Sequence, residues 1–294
     1  SILHSQFFIL NSSFFILHFF ILMLSDLPER LPRIAASDYL NSALLIYSFL
    51  QGEQHDTCRL FPDAAPARCA EMLRSGRVEA ALIPAIEYQR IPGLRVIPGV
   101  TVSSRQQVRS VVLASQVPVS EVRSVALDTS SRTSVSLIRI LFREFYGHHP
   151  QFSSAAPNLS EMLSQNDAAV LIGDPAMTFD RTGLYVYDLA QEWRTFTGLP
   201  FVFALWAVEA SAVEKVCSAV DFAAARDEGL CHKAELAAKY SQMLNLPESD
   251  LVDYLTNNIC YTLDEENLAG LRRYYELAAK YELIETAQPI RWAF

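Results

Sequence analysis

An echo within the chain restricts its fold more than any other feature. Arg33–Ala36 is a short apolar run that passes through a polar loop into a helical pattern over Asn41–Leu50; Ser124–Leu127 does the same into Thr133–Tyr146. Glu71-Met72-Leu73 before the run Glu79–Ile83 is answered by Glu161-Met162-Leu163 before Asp167–Ile172. Gly93-Leu94 opens a segment ending in the apolar Ser110–Leu113, and Gly183-Leu184 opens one ending in Phe201–Leu205. The first residues of these five pairs stand 88 to 91 positions apart. Short apolar runs alternating with 3.6-residue periodicity signal an α/β fold with mostly parallel strands. The constant offset makes it two similar lobes, each strand-helix-helix-strand, joined by extended segments near Val111–Val117 and Leu199–Val208.

The expected division is therefore a first lobe over residues 33–112 and 200–294, and a second over 113–199. From Ser211 onward the periodicity is helical, with apolar stripes along Ala223–Tyr240 and Asn267–Ile284. These C-terminal helices are expected on the first lobe, with Tyr240, Tyr274, Tyr275 and Tyr281 closing a core edge. Residues 1–32 stand apart. Phe7–Leu24 is long and apolar enough for a membrane helix, but Asn11, Ser12, Ser13 and His18 interrupt it and no Lys or Arg precedes it. Phe-Phe-Ile-Leu occurs three times there, as low-complexity sequence does. The expectation is a non-native or disordered extension with Met23 as the natural start, hence no membrane partner and a cytoplasmic protein.

Half of the 294 residues are apolar, enough for a substantial core, and the net charge of −9 opposes a nucleic-acid surface. Five cysteines, none at CxxC spacing, give no disulfide or zinc framework and are expected to be reduced and mostly buried. GxGxxG, Walker, HExxH and GxSxG motifs are missing. The expected chemistry needs neither cofactor nor metal, and its partner is a small molecule.

Asp128-Thr129-Ser130-Ser131-Arg132-Thr133-Ser134 lies between an apolar strand and an amphipathic helix. One hydroxyl suffices as a helix cap. Several hydroxyls and an Arg at a helix start form an anion seat, because first-turn N–H groups and the positive dipole end face the ligand. Ser37-Asp38-Tyr39-Leu40-Asn41-Ser42 repeats the design in the first lobe with a neutral amide; Asn41 is either a plain cap or a ligand contact. In facing lobes the two junctions converge on one cleft, suited to a dianion. Further candidates are Ser110, Glu87 in Ile83–Tyr88, Asp174 in Ile172-Gly173-Asp174-Pro175, and the turn Thr197-Gly198 in Trp193–Phe201. Asp174 before Pro175 is equally explained as an N-cap.

Tyr39-Leu40-Asn41-Ser42, Leu82-Ile83-Pro84 with Glu87-Tyr88, Leu127–Ser134, Leu171–Asp174 and Trp193 with Thr197–Phe201 together resemble the motif series of the chorismate dehydratase family of the futalosine route to menaquinone. Leu44 stands where many relatives have Pro, and Ala85 where Ser is common, which would remove one hydroxyl contact. The resemblance implies a type II periplasmic-binding-protein-like fold. It implies a hydro-lyase without cofactor that converts chorismate to 3-[(1-carboxyvinyl)oxy]benzoate and water. It implies Asn41 as the catalytic residue and Ser37, Tyr39, Ser110, Thr129, Ser130, Ser131, Arg132, Thr133, Ser134, Asp174, Thr197 and Gly198 as substrate contacts. The proton acceptor stays open among Glu87, Asp174 and a carboxylate of the substrate. The alternatives are a non-catalytic solute-binding protein, which would need export, and another dehydratase of this fold; the Thr-Arg-Phe signature of prephenate dehydratases is missing, since Thr133 follows Arg132.

Overall fold

The computed structural model describes residues 31–294 except Ala64, so the expected N-terminal extension lies, but for its last two residues, outside the described residues. No helix among the described residues is long and apolar enough to cross a membrane. The order is β1 (Arg33–Ser37), α1 (Leu40–Gln51), β2 (Arg59–Asp63), α2 (Pro66–Arg74), β3 (Ala80–Pro84), α3 (Glu87–Arg90), β4 (Leu94–Ser104) and β5 (Val111–Ser115). It continues with β6 (Ser124–Asp128), α4 (Arg132–Ile140, extended by a π-helical turn to Tyr146), β7 (Gln151–Ala155), α5 (Leu159–Gln165), β8 (Ala168–Ile172), α6 (Asp174–Thr178), β9 (Tyr185–Asp188), α7 (Leu189–Thr197) and β10 (Phe201–Glu209). Five helices follow: α8 (Val213–Ala219), α9 (Phe222–Cys231), α10 (Lys233–Leu244), α11 (Glu248–Asp253) and α12 (Glu265–Lys280).

The strands form two five-stranded sheets, β2-β1-β3-β10-β4 and β7-β6-β8-β5-β9. In each, three strands pair in parallel and one inserted strand runs antiparallel to both neighbours. The inserted strands are the echo's last pair, exchanged: β5 lies wholly in the second sheet and β10 in the first. Parallel strands covered on both faces must be apolar throughout. Ala80–Pro84 and Ala168–Ile172 are accordingly buried at every position.

The expected helix Ala223–Tyr240 is broken at His232, where the backbone leaves helical geometry and the ring stacks on Tyr47 at 4.0 Å. Just before the break α9 presses on α1 so closely that a Cβ on Gly229 would stand 1.9 Å from the Leu44 carbonyl oxygen. Leu44 itself is core. The helix α12 packs on β10 but also reaches the second lobe, where the Tyr274 hydroxyl donates to the Thr133 carbonyl at 3.1 Å. Of the cysteines only Cys58 and Cys69 are buried, and burial pushes their thiols up to about 11 and about 12. Cys217 and Cys260 are half-buried and Cys231 is exposed, so fewer of the thiols are buried than expected.

Candidate functional site

The carboxyl ends of β1 and β6 deliver the starts of α1 and α4 to one cleft, with about 480 Å³ of space not filled by atoms, part of it open to solvent. Its polar side chains are Ser37, Tyr39, Asn41 and Ser42 from the first lobe and Ser131 and Ser134 from the second, with Gly173 beside them. Apolar groups complete the walls: Pro66, Leu82, Pro84, Val102, Phe203 and Ala204 on one side, Val108, Val111 and Ile172 on the other. Among the described residues, no Lys or Arg is part of this lining. An anion here is met by hydroxyls, an amide and the positive ends of two helices.

Asn41 is not the cap of α1. The N-cap is Tyr39, whose side chain makes no capping bond, and Asn41 sits inside the first turn with its Oδ1 accepting from Ser42 Oγ at 3.2 Å. Ser42 Oγ also lies 2.8 Å from Ser37 Oγ. Behind Asn41 stands fully buried Tyr254, delivered by the π-helical turn Tyr254–Asn258, with its hydroxyl donating to Ser110 Oγ at 2.7 Å. Burial lifts the Tyr254 phenol above its ordinary range, opposed by Ser110 and by the Asn41 amide. Ser110 thus braces the site from behind. Tyr254 was not foreseen: it lies in the helical tail, where a buried Tyr has the pattern of any core residue.

In the second lobe Ser131 caps α4, accepting from the Ser134 N–H at 3.3 Å, and its hydroxyl lies 2.9 Å from that of Ser134. Buried Asp128 holds the loop, its Oδ1 accepting from the Ser130 N–H at 2.8 Å and the Ser130 hydroxyl at 2.5 Å. Thr129 and Ser130 belong to that loop but do not line the cleft. Thr133 is buried against the first lobe, its Oγ1 accepting from the Ile86 N–H at 3.2 Å.

Four expected contacts have other partners. Arg132 points away from the cleft, donating to Glu87 Oε2 at 2.8 Å and to Glu71 Oε1 at 2.6 Å. Glu87 is completely buried and also takes Arg74 at 2.9 Å and Arg90 at 3.0 Å, so three guanidiniums occupy it. Thr197 and Gly198 end α7: the Thr197 hydroxyl donates to the Trp193 carbonyl at 2.7 Å, and Gly198 adopts φ 71°. That turn is a helix stop outside the cleft lining, which is why its Gly and hydroxyl resembled a ligand turn. Ala85 is also absent from the lining; its carbonyl accepts from the Tyr275 hydroxyl at 2.7 Å.

Asp174 does not cap its own helix either. Gly173 takes the N-cap position at φ 65°, and the carboxylate reaches over to the other lobe, accepting from the Leu40 N–H at 3.3 Å. Burial lifts its carboxyl from the ordinary 3.8 to about 6, with Leu40 N–H opposing the rise and Asp38 adding to it. Beside it, the Tyr39 ring covers Gly173 so closely that a Cβ there would lie 2.9 Å from ring carbons.

Similarities to known proteins follow this architecture. A family model described as menaquinone biosynthesis matches residues 32–280. The chain is 31% identical to a chorismate dehydratase of Thermus thermophilus, over 72% of this chain and 84% of that protein. Among solved structures it is similar to a protein of Archaeoglobus fulgidus, with 17% identity, TM-score 0.67 and coverage of 86% and 98% of the two chains. It is also similar to the periplasmic aliphatic sulphonate binding protein of Escherichia coli, with 16% identity, TM-score 0.61 and coverage of 90% and 94%. A Candida albicans gene product described as having the generic periplasmic binding protein structural fold matches at 13% identity and TM-score 0.60, covering 85% and 90%. The architecture is thus that of the periplasmic binding proteins, and by the extent of the family match the chain belongs to the menaquinone biosynthesis family.

Proposed function

We propose that this protein is a cytoplasmic hydro-lyase of the futalosine route, dehydrating chorismate to 3-[(1-carboxyvinyl)oxy]benzoate without a cofactor. Its lobes, near residues 33–112 with 200–294 and 113–199, close on the substrate. The observation that carries the reading is the cleft's layout: a hydroxyl- and amide-bearing helix start from each lobe, with apolar walls between. Chorismate has the matching form, one carboxylate on a six-membered ring and a second on its enol-ether side chain. The start of α4, with Ser131 and Ser134, receives one carboxylate; Ser37, Asn41 and Ser42 at the start of α1 receive the other carboxylate or the ring hydroxyl.

The reaction is redox-neutral. A ring C–H bond breaks, its electron pair enters the ring, the neighbouring C–O bond breaks, and hydroxide leaves with a proton as water. Aromatisation supplies the driving force, so the residues need chiefly to orient the ring and stabilise the departing oxygen. The Asn41 amide, its oxygen engaged by Ser42, presents N–H groups for that task. Glu87, occupied by three guanidiniums, is withdrawn as proton acceptor, and Asp174 is engaged by Leu40. We therefore assign proton abstraction to a carboxylate of the substrate.

Purified protein incubated with chorismate tests the proposal. The expected result is a new aromatic absorbance and loss of one water by mass spectrometry. Tight binding of chorismate without conversion would favour a solute-binding protein, and neither binding nor conversion would remove this substrate.

A further inference from the structure

Of the twelve α-helices among the described residues, five start with a cap of their own: Ser131, Asn158, Asp188, Asp221 and Asp264 each accept a first-turn N–H through the side chain. The site helix α1 is among the seven that do not, since the Tyr39 side chain makes no capping bond. First-turn N–H groups without an acceptor are costly when shielded from water. At α1 the acceptor comes from the opposite lobe, where Asp174 Oδ1 takes the Leu40 N–H. Asp174 is free to do so because Gly173 fills the N-cap position of α6 and turns the chain toward Tyr39.

We infer that Asp174 is a positioning residue that caps α1 from across the cleft, fixing the turn that carries Asn41 only when the two lobes meet. Asn41 and Ser42 follow Leu40 directly, so the cap and the ligand-facing side chains share one helical turn. A carboxylate at this end is also favoured by the helix dipole. The groups around it are Asp38 and the phenols of Tyr39, Tyr240 and Tyr254; the Tyr240 hydroxyl is spent on the Asp38 carbonyl at 2.6 Å, and Tyr254 on Ser110. Closure of the lobes therefore completes α1, and opening leaves its first turn uncapped.

The test compares Asp174→Ala with Asp174→Asn in the full chain, by amide hydrogen exchange at Leu40, Asn41 and Ser42 and by initial rates with chorismate. Only the kinetic arm rests on the proposed function. Asn keeps an acceptor oxygen and should retain protection, KM and kcat. Ala should lose protection in that turn and raise KM roughly fivefold to tenfold, the size of a lost cap, with kcat little changed. Unchanged exchange and KM in Asp174→Ala would overturn the inference. So would a protected, folded Asp174→Asn protein with kcat abolished, since that result makes Asp174 a proton carrier. If the wild-type protein fails to convert chorismate, the functional reading falls and the exchange data still decide the cap.

Discussion

Arg132 and Glu87 form an ion pair between the lobes, 2.8 Å from nitrogen to oxygen, in which the carboxylate is fully buried and the guanidinium about one-third exposed. It ties the first residue of α4 to the first residue of α3 and so fixes one of the two helices that start at the cleft against the other lobe. Arg132→Ala is expected to destabilise the protein by about 1–3 kcal/mol rather than the larger loss of an isolated buried pair, because Arg74 and Arg90 still compensate Glu87. Chemical denaturation measures this. A normal midpoint would show that the pair contributes nothing to the closed arrangement.

Asn41→Asp separates fold from function. Inside the first turn a carboxylate interacts well with the helix dipole, so the melting temperature should not fall. At the cleft the change removes an N–H donor and sets a negative charge beside a dianion in a poorly screened space, so chorismate turnover should collapse. Full activity in a folded variant would take Asn41 out of the site.

Asp174 predicts a pH effect of definite sign. Its carboxyl titrates at about 6 in the folded protein against an ordinary 3.8. As pH rises between these values the unfolded chain releases its proton first, so stability falls through this window and stays lower above it. The deficit is on the order of 3 kcal/mol. Asp174→Asn lacks this penalty: it should melt several degrees above wild type at pH 7.5 and match it near pH 4. Equal melting curves at pH 7.5 would contradict the raised value.

Gly173→Ala places a methyl group 2.9 Å from the Tyr39 ring at a backbone φ of 65°. Strain of about 1–3 kcal/mol is expected, together with a displaced Tyr39. Both should appear as a lower melting temperature and weaker chorismate binding, and Tyr39→Ala should relieve the steric part. Binding that is unchanged in Gly173→Ala would mean that the close approach of Tyr39 and Gly173 does not shape the cleft.

Much of this was legible in the sequence because it depends on local pattern. Strands buried on both faces must be apolar along their whole length, so Ala80–Pro84 and Ala168–Ile172 announce themselves. A polar junction between strand and helix is likewise local, and it singles out Ser37, Asn41, Ser131 and Ser134, all of which line the cleft. The repeat at a constant offset carried the two-lobe fold. What tertiary structure decided was the partner of each charged group. Arg132 and Glu87 lie 45 residues apart, and Leu40 and Asp174 lie 134 apart. No periodicity records which carboxylate a guanidinium meets, because that choice is made where the two lobes pack face to face. For the same reason Asp174 had the pattern of a cap for its own helix, while the assembled cleft makes it the cap of another. Tyr254 reaches Asn41 only because a helix over 200 residues downstream returns to the first lobe.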